Sequence, residues 1–506
     1  MQHTQYESDP IFKSHMGHAD LFCLAYCHDL VITGEQGSGY LYNPRTALWE
    51  PCNKSQIIRM IPPFLDQEVQ QRRATYLQST TVLQELDRLS KKVVTATHAK
   101  DVFMLCKAHP MIFNPAFVSK LNKAKNLFPC QGRKVVLLDQ NKCRERGRAD
   151  FFTFECPVAL ITSDFQNATK FFMEVCNDNH EVFTHLLKTL GCALTGESSR
   201  SFSIFWGEGS NGKSVVTSLM KKIMGPFFGA IDKSLVIKSK RDAGAGAGSG
   251  CTSQLLPLKN CRLCVCSETE MDDKLDSEGV KRITGGDAMY ARWLYQDPTE
   301  FVSAAKIWAL TNHAIQINTK DQAVIDRLMY IPFVSRFTQN PKDGERKRND
   351  YFVQQLENEY LNEVFSLICS YACEWYKTRD VDLILPDILK CAKNSYVSEQ
   401  DSVQCFLETA CVTGKKFGFQ KTECFEAYKV FCSEQGFSYE KPSAFAKIMM
   451  KKFGEGNLRK FGGRYYKGVM SKRLNYDDAD VGSEGREVDW CDDGEQKENC
   501  DAILHI

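Results

Sequence analysis

The feature of the sequence that most restricts its fold is a glycine-rich turn between an apolar segment and an amphipathic one. The apolar segment is Phe202–Trp206, and the turn runs in the order Gly207-Glu208-Gly209-Ser210-Asn211-Gly212-Lys213-Ser214. This order matches the phosphate-binding pattern G-x-x-x-x-G-K-[ST] at every required position. Apolar residues then recur at helical spacing up to Met224, where Gly225-Pro226 ends the pattern. A strand, a glycine loop and a helix in this order predict a nucleotide-binding α/β unit.

The chemistry of such a loop comes from its backbone and from its last two residues. The free N–H groups at the start of the helix and the positive end of its dipole attract phosphate oxygens. We therefore predict that residues 207–214 bind ATP, that Lys213 contacts the β- and γ-phosphates, and that Ser214 holds Mg²⁺. The alternative is a glycine turn with a coincidental Lys-Ser pair, which the strand and helix around the turn disfavour.

Phosphoryl transfer at such a loop also needs an acidic group at the end of a neighbouring strand, because the reaction depends on positioning and charge stabilisation. The apolar segment 261–266 is followed directly by Ser267, Glu268, Thr269 and Glu270. We predict that Glu268 orients the attacking water and contacts the metal ion. Glu270 is the alternative, and its position suits a supporting or solvated residue better.

Composition indicates the environment of the chain. No apolar run approaches the roughly 18 residues of a membrane span, and the first residues do not have the pattern of a signal peptide. The 22 cysteines are therefore expected to be reduced thiols of a cytosolic or nuclear protein. Cys261 and Cys264 form only half of a zinc motif, and strand alternation predicts that their thiols lie on opposite faces.

Charge is unevenly distributed along the chain. The formal net charge is +1, yet the residues from about 475 onward are strongly acidic. The body of the protein is then basic, which favours a nucleic-acid partner. The acidic tail is expected to be disordered, with binding of a basic partner, shielding of the DNA site and plain solubilisation as open roles.

Segment patterns predict five regions. The sequence patterns predict a hairpin at residues 39–49 and a helical stretch at residues 67–94. They also predict a sheet from short apolar strands at 261–266, 306–310 and 328–333. Residues 350–377 are expected to be helical, and two helical patterns with a Gly-Gly hairpin suggest a winged helix at 402–472. The predicted regions are an α+β accessory domain (1–195), an ATPase core (196–340) with a Gly/Ala loop at 243–250, a helical connector (341–400), a winged-helix-like domain (401–474) and the tail (475–506).

Five motifs in sequence order resemble those of the superfamily 3 helicases. They are GEGSNGKS, RLCVCSETE, KRITGGD at 281–287, KIWALTN at 306–312 and DRLMYIPF at 326–333. From about residue 20 to 472 the chain is most similar to the C-terminal helicase part of the poxvirus-type helicase-primases of large nucleocytoplasmic DNA viruses. The resemblance implies an AAA+-like P-loop NTPase core and an ATP-driven hexameric ring that moves along single-stranded or forked DNA. It also implies a role in viral DNA replication in the cytoplasm or nucleus of the host cell.

The resemblance assigns roles to further residues. Asn312 matches the sensor of the γ-phosphate, and Arg327 matches an arginine finger that acts on the neighbouring subunit. Arg292 matches the channel-facing basic position of a hairpin at 289–301. With Lys281 and Arg282 it would neutralise DNA phosphates, while Trp293 or Tyr295 would stack on bases. The alternative is an ordinary solvated hairpin.

Three questions of function stay open. The sequence shows no cluster of carboxylates for a primase, since Asp380 and Asp382 lie beyond the motor. Two alternatives follow: another polypeptide, such as a separate primase or DNA polymerase, makes the primers, or the chain is a shortened relative of the longer family members. A nucleotide-gated replication scaffold or origin-binding protein, and a DNA-packaging translocase, are the alternative functions. The predicted winged helix carries a second group of basic residues, which would suit contact with DNA phosphates. An ordinary solvated face is an equally good interpretation of the same pattern. The residues are Lys447, Lys451, Lys452, Arg459, Lys460, Arg464 and Lys467.

Overall fold

The computed structural model describes most of the chain in nine stretches. These are residues 8–162, 164–238, 252–266, 269–270, 273–292, 299–379, 385–435, 439–457 and 464–472. Among these residues, no helix has both the length and the apolar character required to span a membrane. The predicted Gly/Ala loop, the acidic tail and the Asp380–Asp382 pair lie outside the described residues.

The first region combines a three-stranded antiparallel sheet with four helices. Its elements are α1 (His15–Tyr26), β1 (Leu30–Ile32), β2 (Gly39–Asn43), β3 (Leu48–Cys52), α2 (Lys54–Thr75), α3 (Thr80–Val93) and α4 (Ala96–Cys106). The predicted hairpin is confirmed, with Gly39 opposite Cys52. The stretch predicted as helical from 67 to 94 is two helices, because the chain leaves helical geometry at Tyr76 and starts again after Ser79.

A second small sheet and two helices follow, and they pack on the central part of the chain. The strands are β4 (Leu127–Cys130), β5 (Lys134–Leu137) and β6 (Lys142–Glu145), and the helices are α5 (Gln166–Val175) and α6 (His180–Leu194). Phe128 of β4, Phe172 of α5 and Leu186 of α6 are buried in one hydrophobic core with Phe205 of the next strand. Apolar packing is therefore continuous across residue 195, where the sequence suggested a domain boundary.

The central part is an α/β unit, as the sequence predicted, and its sheet has five parallel strands among the described residues. In chain order its elements are β7 (Phe202–Trp206), α7 (Lys213–Met224), β8 (Phe228–Ala230), α8 (Pro257–Asn260), β9 (Leu263–Cys266), α9 (Ser277–Thr284), β10 (Ala288–Ala291), β11 (Thr299–Val302), β12 (Lys306–Thr311), α10 (Gln322–Arg327) and β13 (Leu328–Pro332). The strand order in the sheet is β13-β7-β12-β9-β8, and β10 and β11 form a separate antiparallel hairpin. β7 is thus an interior strand, flanked by β12 and β13.

The rest of the described chain is mainly helical. Two short paired strands, β14 (Phe337–Thr338) and β15 (Arg346–Lys347), precede α11 (Asp350–Asn358), α12 (Leu361–Thr378) and α13 (Asp387–Ser398). The predicted helical stretch 350–377 is confirmed, with a break before Leu361. α12 packs along α6, and its Phe365 and Ile368 belong to the same core as the central sheet.

The C-terminal unit contains one more helix and one more strand than its sequence pattern suggested. Its elements are α14 (Ser402–Ala410), β16 (Cys411–Gln420), α15 (Lys421–Gln435), α16 (Pro442–Phe453), β17 (Glu455–Asn457) and β18 (Arg464–Ser471). β18 is the middle strand of an antiparallel sheet between β16 and β17. β16 escaped prediction because Gly414, Gly418 and a Lys-Lys pair interrupt the alternation that marks a strand.

Candidate nucleotide site

The glycine loop lies at the carboxyl edge of the central sheet. β7 ends at Trp206 directly before the loop, and β12 ends at Thr311 directly before Asn312. Trp206 and Thr311 are register partners in the parallel pair. Gly207 and Asn312 are therefore adjacent at this edge, which is where α/β sheets bind ligands.

The backbone of the loop adopts conformations that restrict its sequence. Gly209, Ser210 and Gly212 have φ angles of +112°, +49° and +89°. Gly209 has open space around it, whereas a Cβ on Gly212 would lie 2.8 Å from Val175 Cγ2 of α5. A left-handed backbone and close packing together explain the glycine at position 212.

The segment after β13 holds the loop in place. Asn211 Nδ2 donates to the carbonyl oxygen of Phe333 at 3.3 Å, and Asn211 Oδ1 accepts from the N–H of Lys213 at 3.4 Å. The N–H of Phe337 donates to the carbonyl oxygen of Ser210 at 2.7 Å. Asn211 is buried, and the hydrogen bonds of its side chain stabilise the conformation of the loop.

Lys213 is the most informative side chain of the site. It is 5% exposed, and its ammonium donates to the carbonyl oxygen of Gly207 and, at 3.1 Å, to Asn312 Oδ1. Burial lowers the pKa of this ammonium to about 8. The cation is thus surrounded by neutral oxygens, and among the described residues no carboxylate contacts it. An anionic ligand would satisfy such a desolvated cation.

The loop is also open on the side that a phosphate chain would approach. Glu208, Ser210 and Ser214 are exposed, and α7 begins at Lys213, so its first N–H groups face the loop. An exposed helix start of this kind can bind an anion such as phosphate. Glu268 lies outside the described residues, two positions beyond the end of β9. Glu270 is 70% exposed and forms an ion pair with Lys233 at 2.7 Å.

Arg327 is the last residue of α10 and lies apart from the loop of its own chain. Its guanidinium donates to the carbonyl oxygen of Ala323 at 2.6 Å, and its buried Nε has no hydrogen-bond partner among the residues that the structure describes. Within the described residues, no hydrogen bond or ion pair joins Arg327 to Lys213 or Asn312. The structure thus brings Lys213 and Asn312 together and leaves Arg327 at a separate position.

The predicted basic residues differ in their surroundings. Arg282 on α9 and Arg292 at the end of β10 are exposed. The hairpin is present, with Met289 opposite Phe301, but Trp293 and Tyr295 lie outside the described residues. The Lys281 ammonium forms an ion pair with Asp321 at 2.8 Å.

Sequence reasoning missed two buried cations at the opposite edge of the sheet. The Arg262 guanidinium before β9 donates to the carbonyl oxygens of Leu194, Leu127 and Ala124 at 2.7–3.0 Å and stacks over the ring of Phe227. The Lys306 ammonium at the start of β12 donates to the carbonyl oxygens of Thr195 and Glu197 at 2.6 and 2.7 Å. The signal that could have indicated these buried cations is a charged residue within or next to each apolar strand pattern. Both cations fix the end of α6 on the sheet.

The prediction that the thiols of Cys261 and Cys264 lie on opposite faces was wrong. A Cβ on Gly229 would lie 2.7 Å from Cys261 Sγ and 3.3 Å from Cys264 Sγ, so both thiols occupy the same side of the chain. Strand alternation does not apply because β9 begins only at Leu263. In the described part of the chain, no group of three or more His, Cys, Asp or Glu residues is arranged to hold a metal ion.

Comparison with known proteins finds relatives in large DNA viruses. Residues 205–327 match a protein family of unknown function, DUF5906. The putative helicase L207/L206 of Acanthamoeba polyphaga mimivirus is 26% identical over 251 residues, which are 48% of this chain and 26% of that protein. The putative helicase 022R of Frog virus 3 is 24% identical over 56% of this chain and 29% of that protein. Primase D5 of Fowlpox virus is 24% identical over 42% of this chain and 25% of that protein.

The expected resemblance to helicase and primase proteins of these viruses is confirmed, and the matched chain spans about a quarter of their length. The region shared with DUF5906 begins in β7 and ends on Arg327, so it includes the loop and Asn312. An apo structure of the C-terminal region of NrS-1 matches 87% of this chain and 96% of that chain, with 11% identity and a TM-score of 0.41. A second apo structure of that region has 12% identity and a TM-score of 0.40 over 92% of this chain and 99% of that chain.

Proposed function

We propose that the chain is an ATP-hydrolysing DNA helicase that acts as a ring in the replication of a large DNA virus. One observation carries the proposal: the ammonium of Lys213 in the glycine loop is hydrogen-bonded to Asn312 at the end of the adjacent strand. A phosphate-binding lysine and a polar side chain that meet at the carboxyl edge of a parallel sheet suit the γ-phosphate of a nucleotide. The names of the viral relatives support DNA unwinding as the use of that hydrolysis.

Nucleotide binding would change the partners of Lys213. In the free protein its ammonium bonds two neutral oxygens. Phosphate oxygens would replace the carbonyl of Gly207, while the N–H groups at the start of α7 would bind the remaining phosphate oxygens. The hydroxyl of Ser214 would hold Mg²⁺, which neutralises charge on the phosphates when it is bound.

Hydrolysis would then use residues from two subunits. Asn312 would bind the γ-phosphate or the attacking water, and Glu268 would orient that water. β9 and β12 are neighbours in the sheet, which supports an acidic residue after β9 near Asn312. Arg327 would stabilise the developing charge in the next subunit of the ring, in keeping with its separation from its own loop. The strand order supports an AAA+-like P-loop core of superfamily 3 type.

DNA contact would come from the hairpin and its flanking helix. Arg282 and Arg292 are exposed and would neutralise phosphates of single-stranded DNA in the channel. Three helices and a three-stranded antiparallel sheet in the C-terminal unit support its interpretation as a winged helix, a second place of DNA contact. A hexamer, forked DNA as substrate, and a separate primase or polymerase belong to the same proposal.

The test is steady-state ATP hydrolysis with and without single-stranded DNA. Wild type should hydrolyse ATP faster with DNA. The rate of DNA-stimulated hydrolysis should fall by about 100-fold or more in each of four variants, Lys213→Ala, Glu268→Gln, Asn312→Ala and Arg327→Ala. Lys221→Ala, an exposed lysine on α7, is the matched control and should retain wild-type activity. Mixing Arg327→Ala with Lys213→Ala subunits should restore part of the activity if the finger acts in trans. ATP binding without turnover, even with DNA and Mg²⁺, would refute the motor and favour the nucleotide-gated scaffold.

A further inference from the structure

One segment of the chain leads from Asn312, the proposed sensor, to the helix that ends at Arg327, the proposed finger. It comprises residues 313–321 and is called the connecting segment below. It begins after Asn312 at the end of β12 and ends where α10 starts, and Arg327 is the last residue of α10. A displacement at the end of this segment would therefore reach α10 and the proposed finger.

The middle of the connecting segment is held on two sides. Gln316 exchanges backbone hydrogen bonds with the stretch after β9: its N–H donates to Asp273 at 2.8 Å, and its carbonyl accepts from Leu275 at 2.7 Å. On the other side, the Tyr396 hydroxyl of α13 donates to the Ile315 carbonyl at 2.6 Å. Gln400 bonds the carbonyl of Ile315 and the N–H of Ile317. The centre of the segment is thus fixed.

The end of the connecting segment carries an ion pair to the helix that leads into the hairpin. Lys281 Nζ on α9 lies 2.8 Å from Asp321 Oδ2, and the Asp321 side chain is 17% exposed. Asp321 stands directly before α10, and its carbonyl accepts the N–H of Val324 at 3.0 Å. The Lys281 ammonium also lowers the pKa of the Asp321 carboxyl. Only Gly285, Gly286 and Asp287 separate α9 from β10.

We propose that Lys281 is a positioning residue that couples the DNA hairpin to the arginine finger through Asp321. This inference rests on the proposed function and deepens it, because it names the contact by which DNA regulates hydrolysis. DNA that moves the hairpin moves α9, and the ion pair carries that movement to the start of α10 and so to Arg327. The ammonium that the sequence suggested for DNA phosphates is engaged by a carboxylate within the chain.

The charges around the pair agree with an internal role. Arg282, the next residue on α9, is exposed and remains available for DNA, whereas Lys281 points to α10. A second ion pair on the connecting segment joins Lys320 to Glu440 of the C-terminal unit at 2.7 Å. Among the described residues, the Lys320–Glu440 pair forms no hydrogen bond or ion pair with α9 or the hairpin. Its removal is therefore a matched control for the loss of an ion pair from the connecting segment.

The experiment compares DNA affinity, basal ATP turnover and DNA-stimulated turnover in Asp321→Asn, Lys281→Ala, the double variant and the exchanged pair Lys281→Asp/Asp321→Lys. Asp321→Asn should keep basal turnover and affinity for a single-stranded oligonucleotide, yet lose about fivefold or more of the stimulation by DNA. Lys281→Ala should lose the same stimulation, and the double variant should lose no more than either single variant. The exchanged pair should recover stimulation, and Lys320→Ala should behave as wild type.

Two results would overturn the coupling. One is full stimulation in Asp321→Asn. The other is weaker DNA binding in Lys281→Ala with a smaller salt dependence, which would make Lys281 a phosphate contact. Misfolding is separated from uncoupling by the thermal melting curve and by the exchanged pair. If wild type itself shows no stimulation by DNA, the proposed function fails; if wild type is stimulated and Asp321→Asn is too, only the coupling fails.

Discussion

Replacing Lys213 by methionine should abolish ATP hydrolysis and stabilise the nucleotide-free protein. The pKa of Lys213 is lowered from 10.5 to about 8 by burial, so folding penalises the charged form by about 3 kcal/mol. Methionine keeps the apolar stem and removes the charge. For a cooperative unit of roughly 150–250 residues, this difference raises the melting temperature by about 6–12 °C.

The pH dependence has a definite sign. Below about pH 8 the Lys213 side chain is charged in both the folded and the unfolded state, and the full penalty is present. Between about pH 8 and 10.5 the folded state loses the proton while the unfolded state retains it, so the penalty disappears. The stability advantage of Lys213→Met should therefore be greatest at neutral pH and shrink as the pH rises through this window.

Differential scanning fluorimetry at several pH values, with and without Mg-ATP, measures both effects. ATP at about 100 times its dissociation constant should stabilise wild type by about 2.7 kcal/mol and should leave Lys213→Met unchanged. Lys221→Met on the same helix is the control, because this exposed lysine should show neither change. A Lys213→Met variant that melts at or below the wild-type temperature without nucleotide would refute the argument, since its two hydrogen bonds would then outweigh the cost of burial.

Three further predictions concern other parts of the molecule. Arg262→Met should lower stability by about 1–3 kcal/mol in thermal unfolding, because Arg262 is 2% exposed and its loss leaves three carbonyl oxygens without their donor in the interior, whereas Asn312 beside Lys213 is exposed and can bond water instead; wild-type stability would contradict this. Burial and nearby cations lower the pKa of His98 to about 4, so stability should fall as the pH drops from about 6.5 to 4, and His98→Gln should flatten that profile in acid unfolding. Lys447→Glu/Lys451→Glu on α16 should weaken duplex DNA binding and reduce the salt slope by about 2, whereas Lys100→Glu, exposed on α4, should not; equal slopes in a salt titration would rule out phosphate contact.

Local patterns were sufficient to predict the central sheet. The apolar segments at 261–266, 306–310 and 328–333 all contain strands, since buried parallel strands have a continuous apolar pattern. The helix after the glycine loop ends at Met224 as expected, because Gly225 cannot continue it with a φ of +50°. The order of strands across the sheet was not predicted, since it depends on packing between segments that are distant in sequence.

The candidate site also contains residues that could be predicted from local motifs and residues whose roles depend on the tertiary fold. Lys213 and the glycine positions follow from a local motif, and the resemblance supplied Asn312. The role of Asn211 did not follow, because its partner is the carbonyl of Phe333, 122 positions away. Lys281 shows most clearly what could not be predicted from the sequence. A lysine beside an arginine before a hairpin has the pattern of a DNA contact, and only the tertiary fold reveals its carboxylate partner.

In the proposed motor, Asn312 and Arg327 would belong to two ATP sites although they lie in one continuous stretch of the chain. The proposed sensor Asn312 and the proposed finger Arg327 are separated only by the connecting segment and the first five residues of α10. The fixed centre of that segment prevents the two ends from moving freely, while its ion pair with Lys281 gives the hairpin access to one end. In the proposed motor, the path from the hairpin to the finger would therefore be short, because it runs through α9, the ion pair and α10.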